Sequence, residues 1–137
     1  MDTSFIAGVL AYALATFNGG YLWHIVLFND MYVALKVYTR LDDVAIPLGA
    51  AAVGIQALLV SYMLPVFHRA TGRSGPLSGA IFGLWMAGLM FSVGVLAHSA
   101  KNRSACVEGF VVLEGIYCLL QFPLSCAVAA FSQGRAA

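Results

Sequence analysis

Residues 112–128 read VLEGIYCLLQFPLSCAV, a run in which a carboxylate, an amide and a proline interrupt apolar side chains. What Glu114 does there depends on the solvent around the segment. Of 137 residues, 61% are hydrophobic and 9% charged, against about 25% charged in an ordinary soluble domain. Seven Lys/Arg and six Asp/Glu cannot coat a water-facing surface. Hydrocarbon demands no such coat, so the predicted solvent is the lipid bilayer. A carboxylate facing lipid is penalised by a few kcal/mol. Glu114 is therefore expected to face protein, pair, or be protonated.

Working outward, three further apolar runs precede this one. The four cover residues 4–28, 45–67, 77–99 and 110–131, and nearly all charge falls between them, at 30–43, 69–73 and 101–108. At about 1.5 Å per residue each run crosses a hydrocarbon layer of about 30 Å. The prediction is an all-α membrane protein: one four-transmembrane-helix bundle over residues 1–137, with short loops and both termini on one side. The first run has no basic n-region and is long for a signal peptide, so it is expected to persist as a helix. Lys36, Arg40, Lys101 and Arg103 would lie on one side of the membrane and Arg69, Arg73 and Arg135 on the other, too even a split to fix orientation. The two halves show no repeat beyond hydropathy.

The first connection, NDMYVALKVYTRLDDV, puts Met31, Leu35, Tyr38 and Leu41 on one helical face and Lys36 and Arg40 on the other. An interfacial helix and an ordinary loop both fit. Asp42 or Asp43 would cap the second span, and Ser74-Gly75-Pro76 marks the start of the third. Trp23, Tyr21, Tyr32 and Tyr38 read as an aromatic belt at the end of the first span.

Two stripes of small residues recur at steps of four: Gly75, Gly79, Gly83 and Ala87, and Ala7, Ala11, Ala15 and Gly19. Small stripes let helices approach closely in lipid, either within the bundle or against a partner. Glu114, Cys118, Gln121 and Ser125 share one face of the fourth span, with Glu114 about 7 Å from its end. Asn18, His24, Gln56 and His98 are the other interior polar candidates. Together with Glu114 and Gln121 they form either interhelical hydrogen bonds or a polar pocket for a small molecule or proton. Pro123 is expected to kink its helix.

No metal is predicted, because the His and Glu residues lack ligand spacing, and the three cysteines suggest neither disulfide nor metal. No cofactor is predicted. GxSxG, HExxH, P-loop and dinucleotide motifs are absent, which points away from an enzyme. A net charge of +1 gives no footprint for nucleic acid.

Three stretches, GGYLWHIVLFNDMY at the end of the first span, SGAIFGL opening the third and FVVLEGIYCLLQF in the fourth, make the chain resemble a family of small bacterial four-helix membrane proteins of unknown function. Such families often carry an acid early in the fourth helix, the position of Glu114. The resemblance implies the fold and a bacterial inner (cytoplasmic) membrane; it implies no activity.

The expected role is a non-catalytic accessory or oligomerising subunit of a membrane assembly, whose partners are the bilayer and either copies of itself or a larger complex. The alternative is a homo-oligomeric small-molecule or ion transporter or channel, with Glu114 as its proton- or cation-responsive group. A lipid-modifying enzyme using His24, His98 and Glu114 has only residue types in its favour.

Overall fold

The computed structural model describes residues 2–37, 45–102 and 104–136. Four of its helices are long and apolar enough to cross a membrane: Thr3–Leu27, Ile46–Thr71, Gly75–Lys101 and Val107–Arg135. The first is α1 (Thr3–Tyr21) continued by a π-helical turn at Leu22–Leu27. A short α2 (Asn29–Leu35) and α3 (Ile46–Thr71) follow. The third span is α4 (Gly75–Met90), a π-helical turn at Phe91–Leu96, and α5 (Ala97–Lys101). The fourth is α6 (Val107–Ala136). The chain is thus an integral membrane protein built as an all-α four-helix bundle.

The helix ends follow from local chemistry. Asp2 caps α1, accepting from the Ser4 amide at 3.3 Å and the Ser4 hydroxyl at 2.8 Å. Gly72, at φ 66°, and Gly75, at φ 77°, make the left-handed turn between α3 and α4. Pro76 then sits where a missing N–H costs nothing. The expected caps Asp42 and Asp43 lie outside the described residues.

Helix α6 is the centre of the bundle. It packs most extensively against α4 and then α1, while α3 leans mainly on α1. The α4 contact is close because a Cβ on Gly83 would lie 2.5 Å from the Phe122 carbonyl oxygen and the Pro123 Cα, and one on Gly79 would lie 2.5 Å from the Cys126 carbonyl oxygen. Gly79, Gly83 and the buried Ala87 are therefore used inside the chain. Gly75 takes no part, having nothing within 4 Å of its Cβ position. On α1 the buried stripe is Gly8, Tyr12 and Thr16. It lies one residue, about 100°, from the expected Ala7, Ala11 and Ala15, which are half-buried. Tyr12 and Thr16 turn inward because each hydroxyl finds a partner there, Gln56 for Tyr12 and Ser125 for Thr16.

Most outward-facing side chains are apolar in every span. Leu77 and Trp85, 75% and 73% exposed, are typical and suit contact with acyl chains. Helix α3 is embedded only from its middle onward: its buried residues are Ala57, Val60, Ser61 and Leu64. Ile46 to Ala52 are exposed, and Gly49 and Gly54 have nothing within 4 Å of their Cβ positions.

One inter-helix bond has a specific cause. Pro65 inside α3 has no N–H, so the carbonyl four residues earlier, on Ser61, loses its helical donor. The side chain of Gln133 on α6 supplies a substitute, donating Nε2–H to that carbonyl at 2.8 Å.

The first connection does contain a helix, α2, but its inward residues are Tyr32 and Leu35, with Met31 exposed. Lys36, at φ 53°, ends it, and Tyr38, Arg40 and Leu41 lie outside the described residues. The Ala105 amide donates to the Leu35 carbonyl at 2.9 Å. This ties α2 to the loop before α6, so it lies over one end of the bundle.

Candidate functional site

Because α6 starts at Val107, Glu114 sits about 10 Å along it, deeper than the sequence suggests. It is 9% exposed. Two other elements bring polar partners to its Oε1. From α2, the Tyr32 hydroxyl donates at 2.5 Å. From the π-helical turn, His24 Nε2 stands at 3.3 Å. Behind Tyr32, Trp23 Nε1–H donates to the tyrosine oxygen at 3.1 Å.

The π-turn is a local backbone choice with a visible signature: the Phe28 amide donates to the Trp23 carbonyl, five residues back, at 3.0 Å. A second π-turn, Phe91–Leu96, reaches the site from the other side, where Phe91 packs 3.1 Å from the Cβ position of Gly115. Aromatic rings wall the cluster. Tyr117 meets His24 edge-on at 4.6 Å between ring centroids, and Tyr32 lies 4.9 Å from His24. Such walls exclude water and strengthen the electrostatics inside.

The proton inventory follows from the partners. His24 Nδ1 lies 3.0 Å from the Gly20 carbonyl, which can only accept, so Nδ1 carries hydrogen. Between Nε2 and Glu114 Oε1, a bond then needs one proton. The pair is either imidazolium and carboxylate or imidazole and carboxylic acid. A second proton can sit on Oε2, leaving both contacts to Oε1 in place, but it removes the ionic attraction between the pair. Removing the first sets two lone pairs against each other. Losing the first proton breaks the Nε2–Oε1 bond, and gaining a second removes the carboxylate charge.

A second polar layer lies two turns along α6. Gln121 Nε2 donates to Ser125 Oγ at 2.6 Å and, more weakly, to the Ala15 carbonyl at 3.4 Å. Thr16 donates to the same Ser125 oxygen at 3.1 Å. The Gln121 carboxamide fills the space that a Cβ on Gly19 would need.

Of the residues singled out from sequence, the structure brings Glu114 and His24 into contact and places Gln121 in the next layer. Gln56 is elsewhere, accepting from the Tyr12 hydroxyl at 3.3 Å. Asn18 is exposed, its amide donating back to the Leu14 carbonyl of its own helix at 2.7 Å. His98 is exposed too, with Asn102 Nδ2 at 3.3 Å and its ring 5.9 Å from Phe110. Sequence reasoning missed Tyr32 and Trp23, taken for belt aromatics, as well as Tyr117, Thr16 and Gln133. Thr16 had a legible signal: it continues the Gly8–Tyr12 stripe at a step of four. Among the described residues, no three His, Cys, Asp or Glu side chains are grouped to hold a metal ion.

No family model matches the chain, and neither a curated protein nor a solved structure shows significant similarity to it. The site is read from its own chemistry.

Proposed function

We propose that the chain is a proton-responsive membrane protein of the bacterial inner membrane, acting as a homo-oligomeric transporter or channel for an ion or small molecule. Its titrating element is the Glu114–His24 pair, and both termini lie on one side. The observation that carries this reading is the commitment of His24 Nδ1 to the Gly20 carbonyl, which leaves a single proton to join Nε2 and Glu114. Ionisable groups inside a span are costly and usually mark a pathway or relay. Here the cost is tied to a mobile consequence. Tyr32 belongs to α2, so a change in proton count at Glu114 weakens a bond that docks α2 over the bundle end. Polar layers at Gln121–Ser125–Thr16 and Gln133–Ser61 continue along α6 towards the opposite end.

The test is flux. Purified protein is reconstituted in liposomes carrying an internal pH-sensitive dye, and external pH is stepped down. Wild-type protein should acidify the lumen faster than empty liposomes, and Glu114→Gln, which keeps an acceptor for Tyr32 but cannot titrate, should abolish the difference. Flux unchanged by Glu114→Gln, or absent from the wild type, refutes the reading.

A second reading, the non-catalytic accessory subunit, is favoured by one observation: the first two turns of α3, residues 46–52, are exposed all round, and Gly49 and Gly54 have nothing packed on them. The small stripe on α4, by contrast, is already occupied by α6 and is not free for a partner. If α3 docks a partner, Gly54→Leu should release a co-purifying subunit from native membranes while leaving any flux intact.

A further inference from the structure

At the end of the bundle opposite Glu114, a half-open groove of about 230 Å³ runs between the start of α1, the second half of α3 and the end of α6. Its size is several times the roughly 30 Å³ share of one water. Ser61 lies in its wall, fully buried, with a hydroxyl that has no hydrogen-bond partner. Pro65 and Gln133, whose bond to the Ser61 carbonyl was described above, also line it. A buried hydroxyl without a partner costs stability unless something fills its bonding capacity.

The mouth carries two opposite charges, Asp2 and Arg69. They do not pair with each other, and among the described residues no carboxylate lies within ion-pair distance of Arg69. Asp2 is held ionised at neutral pH, because the Ser4 hydroxyl and amide keep its carboxyl below the usual value. Both groups stand at span ends, since α1 begins at Thr3 and α3 ends at Thr71. They therefore lie at headgroup level. The groove is also long: Arg69 and Ser61 are eight residues apart on α3, about 12 Å along its axis. Tyr62 and Val66, both exposed and apolar in body, form the lipid-facing wall between them.

We propose that this groove binds one membrane phospholipid with an amine–phosphate headgroup. The phosphate lies against the Arg69 guanidinium, which suits it as a charge-assisted donor, and the ammonium lies against Asp2. The glycerol ester region reaches inward, where the Ser61 hydroxyl donates to an ester carbonyl, and an acyl chain follows Tyr62 and Val66. A free phosphate compound held at Arg69 would leave Ser61 unsatisfied about 12 Å away; the depth of the groove selects the lipid.

The experiment titrates the full-length protein in detergent micelles with dioctanoyl phosphatidylethanolamine, phosphatidylcholine and phosphatidylglycerol, and with free phosphoethanolamine. Binding is followed by native mass spectrometry and by the rise in melting temperature. Phosphatidylethanolamine should bind tightest. Phosphatidylcholine loses the N–H donors that reach Asp2, and phosphatidylglycerol has no cation. Arg69→Gln, at an exposed position in the last turn of α3, should weaken phosphatidylethanolamine binding by about tenfold or more. Ser61→Ala should weaken it less, without lowering the melting temperature of the lipid-free protein, because the hydroxyl has no partner to lose. Equal binding of all three lipids, no effect of Arg69→Gln, or free phosphoethanolamine binding as well as the lipid would overturn the proposal. None of these outcomes depends on proton flux at Glu114.

Discussion

Tyr32→Phe removes a single oxygen and tests how the site is held. Tyr32 is 1% exposed, and its oxygen serves two bonds, donating to Glu114 Oε1 at 2.5 Å and accepting from Trp23 Nε1 at 3.1 Å. The ring remains, so no cavity of consequence opens. Hydrogen bonds to a charged group contribute about 1.5–3 kcal/mol and neutral ones about 0.5–1.5 kcal/mol in soluble proteins. Neutral interhelical bonds in membranes average nearer 0.6 kcal/mol. With Glu114 ionised, the expected loss is about 2–3 kcal/mol, mostly from the carboxylate. Thr16→Val is the control, since it deletes one neutral bond, to Ser125 at 3.1 Å, and should cost about 0.6 kcal/mol. Reversible unfolding in mixed micelles, titrated with a denaturing detergent and followed by circular dichroism, compares the two. A cost for Tyr32→Phe no greater than that for Thr16→Val would mean that Glu114 receives no charge-assisted bond, and the imidazolium–carboxylate form of the pair would be excluded.

Trp85 faces lipid and Trp23 is one of only two tryptophans, so in a Trp85→Phe background Trp23 reports on its bond to Tyr32. Its emission should shift when Tyr32→Phe removes the oxygen that accepts from the indole N–H; an unchanged spectrum would contradict that bond. Gly83→Ala places a methyl 2.5 Å from backbone atoms of α6 and should cost about 1–3 kcal/mol as overpacking, whereas Gly88→Ala, with nothing within 4 Å, should leave the unfolding midpoint unchanged or slightly raised. Gln133→Ala should cost about 1–2 kcal/mol, because it orphans the Ser61 carbonyl. In a Pro65→Ala background, where the helix supplies its own N–H, that cost should shrink; a double-mutant cycle with no coupling would refute the link.

The four spans were legible because lipid sorts residues by charge, and the sequence alternates accordingly. Their ends were less so, since hydropathy reports the solvent while helix ends report hydrogen bonding. Helix α6 begins at Val107, with Glu108 in its first turn, and α3 runs on to Thr71, with His68 and Arg69 in its last. Each charge suits the helix dipole at its end, so helix continues where apolarity stops. Glu114 and His24 stood out as costly groups in apolar runs. Their meeting could not be read, because it depends on the π-turn after Tyr21 and on the reversal at Phe28 that swings Tyr32 back over the bundle. Asn18 misled for the opposite reason: its amide is satisfied by the Leu14 carbonyl, so it has no need of the interior.

The distribution of polar side chains also explains which helix became central. Glu114, Gln121, Ser125 and Gln133 all belong to α6 and are all buried, and a helix with four such groups along it is disfavoured anywhere at the lipid boundary. Surrounding it with α1 and α4 hides them, and the glycines of α4 let that enclosure close tightly. Helix α3 carries one fully buried hydroxyl, on Ser61, and can remain peripheral. The same logic ranks the sites. At Glu114 every partner comes from this chain, so its chemistry is internal and responds to protons. At Ser61 the partner is missing and the groove opens to the membrane, so that site answers to what the membrane supplies.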